Sequence, residues 1–426
     1  MKYNNPPLIL NETSITDALG TISLKDLPDP QPKLDVRLEN VSPLIERLWR
    51  IALADIESNI VETDDGKYFG AGALFNIIVF TRDISYSGIL GLNKLYPEIM
   101  KSSLRATRDV RSRLAFKVET EYVLENIDVP WQPEDISEQG FAQKYHTNSY
   151  CRRTDDVVWL WAASDLFSKH GTKEDWQWFY ETGRKCFDEF YNPFYDSEDG
   201  LYHGQASFVD IHSVAHKTTG YPQDWDLKDC ILVKSLSTNC LYVRGLEVMA
   251  DVSKHFGYEK EEDMWEAKAA DLRKAIRDNL LNSDGTLSYF KDKHGNLQPR
   301  RDALGSALAV LMDIVEGEET RAALKNYPVT DAGVPLFHPF FPENNYYHNN
   351  TSWPFVDTFF IKALEKSDCK ARTALNAALL ARTCVEDGTF HEVVDFRDKK
   401  PGGSGSQLWT AASFIDTCFR AGFVKL

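Results

Sequence analysis

The chain has 426 residues, 43% of them hydrophobic and 26% charged, enough apolar content for a large core and too much for disorder. Lys plus Arg total 48 against 64 Asp plus Glu, a net charge of −16, which argues against nucleic acid or an anionic membrane as partner. No apolar run approaches the ~20 residues of a membrane-spanning helix, the seven cysteines include no C-x-x-C pair and form no disulfide framework, and nucleotide-loop and zinc-protease motifs are absent.

The N-terminal stretch MKYNNPPLILNETS lacks a signal-peptide core. At face value the chain is cytoplasmic, or periplasmic or secreted if a leader has been trimmed. Residues 1–42 carry Pro6, Pro7, Pro28, Pro30 and Pro32 and little periodicity, and read as an extended arm. Residues 43–426 read as one catalytic domain. Apolar spacing and stop signals predict helices near 43–60, 84–97, 101–124, 154–170, 173–191, 235–256, 260–281, 302–315, 318–327, 352–367, 370–384 and 406–421.

The connections alternate. Short ones fall at Tyr96-Pro97-Glu98, His170-Gly171-Thr172, His255 to Tyr258, Glu316-Gly317 and Lys366-Ser367-Asp368. Long ones span about 61–83, 125–153, 192–234, 282–301, 328–351 and 385–405. Short loops join antiparallel neighbours, so every long loop falls at the same end. The helices that follow long loops are apolar nearly all round, as in Ala303 to Met312 and Leu408 to Ile415, and so belong to an inner, doubly covered ring. The expected fold is all-α, an (α/α)6 toroid of six helical hairpins with a cup at the long-loop end. A plain solenoid is disfavoured because no 34- or 40-residue repeat is present.

The long loops are rich in aromatics, histidines and carboxylates, among them Tyr145, Tyr202, His203, Phe208, Phe337, His338, Tyr347, His348 and Trp353. Aromatic planes stack on the C–H faces of sugar rings, while carboxylates, amides and Arg meet the hydroxyls. Four stretches stand out. Arg82-Asp83 opens the second helix and reads as a clamp on two sugar hydroxyls, with helix capping by Asp83 as the plainer alternative. Asp156 follows Thr154-Asp155 at the start of the fourth. Asp210 sits among Phe208, Val209 and Ile211, and a carboxyl in apolar company holds its proton nearer neutrality, as a general acid must. Glu392 alternates with Phe390 and Val394 in a strand-like piece ahead of Gly402-Gly403-Ser404-Gly405, whose backbone N–H groups would keep it ionised as a general base.

At these residues the sequence resembles the six-hairpin glycoside hydrolases of the glucoamylase, trehalase and processing α-glucosidase group. Thr81-Arg82-Asp83-Ile84-Ser85-Tyr86-Ser87 is similar to the Arg-Asp motif that binds the terminal sugar in glucoamylase-like enzymes. The segment Gly204 to Asp210 resembles a Glu-Ser-Gly-Trp-Asp loop whose Asp is the general acid, with Gln205-Ala206-Ser207-Phe208 here in place of Glu-Ser-Gly-Trp. His391-Glu392, the glycine-rich run and Leu408-Trp409-Thr410 resemble the C-terminal element whose Glu is the general base. Asn349 to Pro354 is similar to the loop ahead of the fifth hairpin's inner helix. The resemblance implies hydrolysis of a terminal sugar from an oligosaccharide or glycoside by single displacement. Asp210 would be the acid and Glu392 the base. Arg82, Asp83, Asp156, Tyr202, Trp353, His391 and Trp409 would bind substrate. No metal or other cofactor is required.

Two rival readings remain open at this level. A sugar epimerase or lyase on the same toroid would use His203, His212, His338, His348 or His391 as proton carriers. A non-catalytic carbohydrate-binding protein would keep the cup and lack the acid.

Overall fold

The computed structural model describes residues 9–17, 20–64, 66–74, 79–110, 153–209, 220–225, 229–230, 232–342, 347–384 and 387–425. Its helices are α1 (Pro43–Ser58), α2 (Thr81–Ser87, continued by a π-turn Gly88–Leu92 and a last turn to Leu95), α3 (Pro97–Val110), α4 (Arg153–His170), α5 (Lys173–Lys185), α6 (Leu236–Phe256), α7 (Glu259–Leu280), α8 (Ala303–Leu311), α9 (Glu318–Ala323), α10 (Pro354–Asp368), α11 (Thr373–Arg382) and α12 (Leu408–Arg420). Local chemistry sets their ends. The Ser42 hydroxyl accepts the Ile45 N–H ahead of α1. Thr172 and Asp175 form a reciprocal capping box on α5. Gly257 closes α6 in the left-handed region, which glycine adopts without strain.

The even-numbered helices form a closed ring. Each of α2, α4, α6, α8, α10 and α12 packs on the next, and α12 returns to α2. The odd-numbered helices lie outside: α3 covers α2 and α4, α5 covers α4 and α6, α7 covers α6, α9 covers α8 and α10, α11 covers α10 and α12, and α1 covers α12. This is the (α/α)6 toroid. The sixth hairpin joins the two ends of the chain, α1 with α12, and the bridge between Leu38 and Val424 fastens it. Burial follows the layers. Ala303 to Val310 of α8 are all buried, whereas α7 buries one stripe, Trp265, Ala269, Leu272, Ala275, Ile276 and Leu280. Helix α8 is shorter than its apolar run suggests, because a non-helical turn at Met312 and Asp313 ends it while Ile314 and Val315 still pack in the core.

The long loops are stitched into a rim. The strand pair before α6, Lys234–Ser235, bonds to Phe290–Lys291 of the next long loop. Arg301–Asp302, before α8, bonds to Phe337–His338. Thr351–Ser352, before α10, bonds to Val393–Asp395, which turns back on Pro401–Gly402. Helices α6, α8 and α10 thus each begin where two successive long loops meet. Ile9–Leu10, Ser14–Asp17 and Gly20–Ser23 form a three-stranded antiparallel meander whose Ile15 and Ile22 are buried. The segment after it lies against α1, where Trp49 donates to the Val36 carbonyl at 2.7 Å.

Candidate active site

Glu392 lies at the mouth of the hairpin 393–402. Its own N–H donates to the Ser404 carbonyl at 3.0 Å, and the Ser404 N–H returns to its Oε2 at 3.2 Å. The Tyr347 hydroxyl donates to Oε1 at 2.8 Å. The carboxylate is only 5% exposed and is met by donors, one of them from the glycine-rich turn, as the sequence suggests. Gly403 makes this approach possible. Its φ is +72°, and a Cβ there would lie 2.3 Å from Glu392 Oε2. Gly403→Ala is therefore expected to displace the carboxylate and cut kcat by about 10²-fold with the fold retained, checked by steady-state kinetics beside circular dichroism.

A floor of rings lies beneath. Trp353 stacks on His348 at 5.2 Å and meets Tyr347, Phe208 and Trp409 edge-on. Trp409 stacks on Phe355 at 4.2 Å. Trp353 opens α10 and Trp409 opens α12, so the cluster fills the cup end of the ring. Trp353 is 1% exposed and Trp409 2%, so both rings are buried by this packing.

Arg82 and Asp83 flank this floor in the first turn of α2. The N-cap position is Phe80, so Asp83 does not cap the helix. It receives the Gln407 side-chain N–H at 3.3 Å, tying the start of α2 to the start of α12. Arg82 lies beside Asp83 at 3.5 Å and over the Phe80 ring at 4.8 Å. Gln407 leads from Asp83 back to the Glu392 hairpin, since its N–H bonds to the Phe390 carbonyl at 2.8 Å.

Asp210 lies outside the described residues, but the segment that delivers it does not. Residues 204–209 are held by the hydroxyl-rich start of α6. Ser235 donates to the carbonyls of Gly204 and Gln205, each at 2.9 Å, and Ser237 accepts the Ser207 N–H at 3.0 Å. The Tyr86 and Ser207 hydroxyls bond at 2.6 Å, and Tyr221 accepts the Ala206 N–H at 3.0 Å. Phe208, two residues before Asp210, has φ +57° and packs on Trp353 at 4.9 Å. A non-glycine residue in the left-handed region is strained, and such strain gathers at functional loops. Phe208 and Tyr347, whose hydroxyl bonds Glu392, therefore pack on the same tryptophan.

Two predicted positions fall elsewhere. Tyr202 does not face the cup. Its ring stacks on Tyr242 at 3.8 Å with Tyr195 on another side, because the short strand Leu201–Tyr202 turns it onto α6, where Asn239 binds its backbone. It packs the loop. His391 points away from Glu392, as neighbours in an extended segment must, and bonds Asp387 at 2.9 Å. The side chain of Asp156 lies outside the described residues, as does Glu343.

Buried carboxyls secure the loops. Asp302 caps α8 by accepting the Gly305 N–H at 2.6 Å, and burial pushes its pKa from 3.8 up to about 7 despite bonds from Gly305, Leu304 and Ser237. Asp357 binds the Val334 N–H at 2.9 Å and the Ser352 hydroxyl at 2.7 Å and is likewise raised to about 7 by burial. A raised carboxyl keeps its proton in the folded state while the unfolded chain releases it. Its contribution to stability is thus present below pH 4 and is lost as pH rises through 7. Asp302→Asn, a neutral cap, should gain on the wild type between pH 4 and 7 by up to roughly 4 kcal/mol in denaturant unfolding.

A toroid whose cup gathers a donor-held carboxylate, an Arg–Asp pair and an aromatic floor has the build of a six-hairpin glycosidase. The chain belongs to the mannosylglycerate hydrolase MGH1-like glycoside hydrolase domain family, whose profile matches residues 117–410. It is a glycoside hydrolase of the six-hairpin superfamily. No curated protein sequence matches it significantly. Among solved structures it is similar to a wild-type glycosidase, with a TM-score of 0.60 at 16% identity over 89% of this chain and 98% of that one. It is also similar to neutral trehalase Nth1 from Saccharomyces cerevisiae, with a TM-score of 0.55 at 14% identity over 82% and 73% of the two chains. A family 78 rhamnosidase of Bacillus sp. GL1 gives a TM-score of 0.55 at 13% identity over 93% of this chain and 36% of that one. These likenesses concern the fold.

Proposed function

We propose that the chain is an inverting, exo-acting glycosidase that releases the terminal sugar of a small glycoside. Residues 43–426 form its catalytic domain, preceded by 1–42 as an N-terminal arm. Glu392 is the general base. The Tyr347 hydroxyl and the Ser404 N–H orient its carboxylate, and it deprotonates the water that attacks the anomeric carbon. Asp210, carried by the strained segment at Phe208, protonates the leaving oxygen from the opposite face. Inversion needs room for that water, so the two carboxyl groups should stand about 6.5–9.5 Å apart. Arg82 and Asp83 bind hydroxyls of the sugar being cleaved, and Trp353 and Trp409 back the site beneath it.

The observation that carries this reading is the convergence of the two loops. Tyr347, which holds Glu392, and Phe208, which precedes Asp210, both pack on Trp353. Buried polar atoms add to it. Among the described residues, Trp409 Nε1 and Thr410 Oγ1 are buried without a hydrogen-bond partner, and such groups are costly unless a ligand or water meets them. A sugar's hydroxyls would do so. Family membership weighs against the epimerase or lyase reading, as does the placing of three of the histidines. His348 is buried under Trp353, His203 bonds the Leu232 carbonyl, His391 bonds Asp387, and His212 lies outside the described residues.

The family is named for a mannosylglycerate hydrolase, so mannosylglycerate is the first substrate to try. A panel of mannosylglycerate, trehalose and 4-nitrophenyl glycosides, with free reducing sugar as the readout, tests the proposal. Release of a single terminal sugar supports it. An isomerised or unsaturated product, or none from any glycoside, refutes it.

A further inference from the structure

We infer that Asp55 is a positioning residue for Glu392, acting from the outer ring. It lies on α1, more than 300 positions before the hairpin it serves, and it is buried. Its carboxylate accepts three hydrogen bonds, all from that hairpin: the Phe390 N–H at 2.7 Å, the Thr389 hydroxyl at 2.8 Å and the Ser406 hydroxyl at 2.9 Å. Phe390 stands two residues before Glu392 on one limb. Ser406 stands beside Gln407 on the other, and Gln407 reaches Asp83. One side chain thus grips both limbs of the element that carries the base.

The grip is directed at strain. Ser406 has φ +45°, a conformation unfavourable for a residue with a side chain. It is held there from three sides. Its hydroxyl donates to Asp55, its N–H donates to the Thr389 hydroxyl at 2.7 Å, and its carbonyl accepts the Asn59 side chain at 2.6 Å. Asn59 is one turn along α1 from Asp55, and its carbonyl accepts the Gly70 N–H at 2.8 Å. The loop beyond Gly70 then lies on the hairpin, with the Ala73 N–H donating to the Gly405 carbonyl at 2.9 Å and the Leu74 N–H to the Ser404 hydroxyl at 3.2 Å. Ser404 is the residue whose N–H holds Glu392. A burial that would otherwise strongly oppose a carboxylate raises Asp55 only to about 6, because these three bonds and the nearby His391 favour the charged form.

An asparagine can serve the same geometry. Its carbonyl can accept the Phe390 N–H while its amide donates to the two hydroxyls, which rotate to accept. An alanine cannot. The role rests on Glu392 being the base, and the test separates the two ideas. With the glycoside turned over fastest in the panel above, Asp55→Ala should lower kcat by about 10²-fold at nearly unchanged KM, and Asp55→Asn should recover to within about tenfold of wild type. In a Glu392→Gln background, Asp55→Ala should add almost nothing, because residues that act as a unit are not additive. Should Asp55→Ala not fold, Thr389→Val removes one donor at constant shape and should give the same pattern at about tenfold. A folded Asp55→Ala, or in its place Thr389→Val, with wild-type kcat would overturn the inference, as would an undiminished extra loss in the Glu392→Gln background. A fully active Glu392→Gln enzyme would instead overturn the base assignment, and this role with it.

Discussion

Glu392→Gln is expected to lose roughly 10²–10⁴-fold in kcat on every substrate, whatever its leaving group, because water activation is needed in each case. The amide keeps the size of the side chain; its oxygen can accept the Ser404 N–H while its NH2 donates to the Tyr347 hydroxyl, so the loss would report on the missing base and not on a collapsed hairpin. Added azide should restore part of the rate for a Glu392→Ala enzyme by attacking in place of water, yielding a glycosyl azide of inverted configuration. Steady-state kinetics with and without azide, followed by product analysis, checks both statements. Near wild-type turnover by Glu392→Gln would remove the base from this position.

Asp210→Asn should show a different signature. Protonation matters most when the leaving oxygen is a poor leaving group, so natural glycosides should lose roughly 10²–10⁴-fold. Glycosides of acidic phenols need little protonation and should be spared. A plot of rate against leaving-group pKa should therefore steepen in the variant. A uniform loss across leaving groups would point to a structural role for Asp210, and the acid would then be sought at Asp156 or Glu343.

The toroid was legible in the sequence because two independent signals agree. Loop lengths alternate, and the helices after long loops are apolar all round, as Ala303 to Val310 show. The setting of Glu392 was legible because it stands beside a glycine-rich run that can approach it closely, and Gly403 does so. Neighbouring residues were harder to place. His391 and Tyr202 border functional segments, but in an extended chain adjacent side chains face opposite ways, and Tyr202 found a partner in Tyr242 of α6. Tyr347 and Asp55 carried no local signal at all. Tyr347 was one loop aromatic among many, and Asp55 sits within a surface-type helix with its partners more than 300 residues away. Such roles arise only when the ring closes α1 against α12. The N-terminal meander was also missed, since its strands are two to four residues long and its apolar pattern too brief to register.

Single displacement by Asp210 and Glu392 would invert the anomeric centre, and the configuration of the newly released sugar reports on it directly. Proton NMR of the first turnovers, recorded before mutarotation, distinguishes the two anomers. A first-formed sugar with the configuration opposite to that of the substrate is the predicted result. A first-formed sugar of the same configuration would mean a covalent glycosyl–enzyme route and would contradict the assignment of Asp210 and Glu392 as an acid and base separated by water.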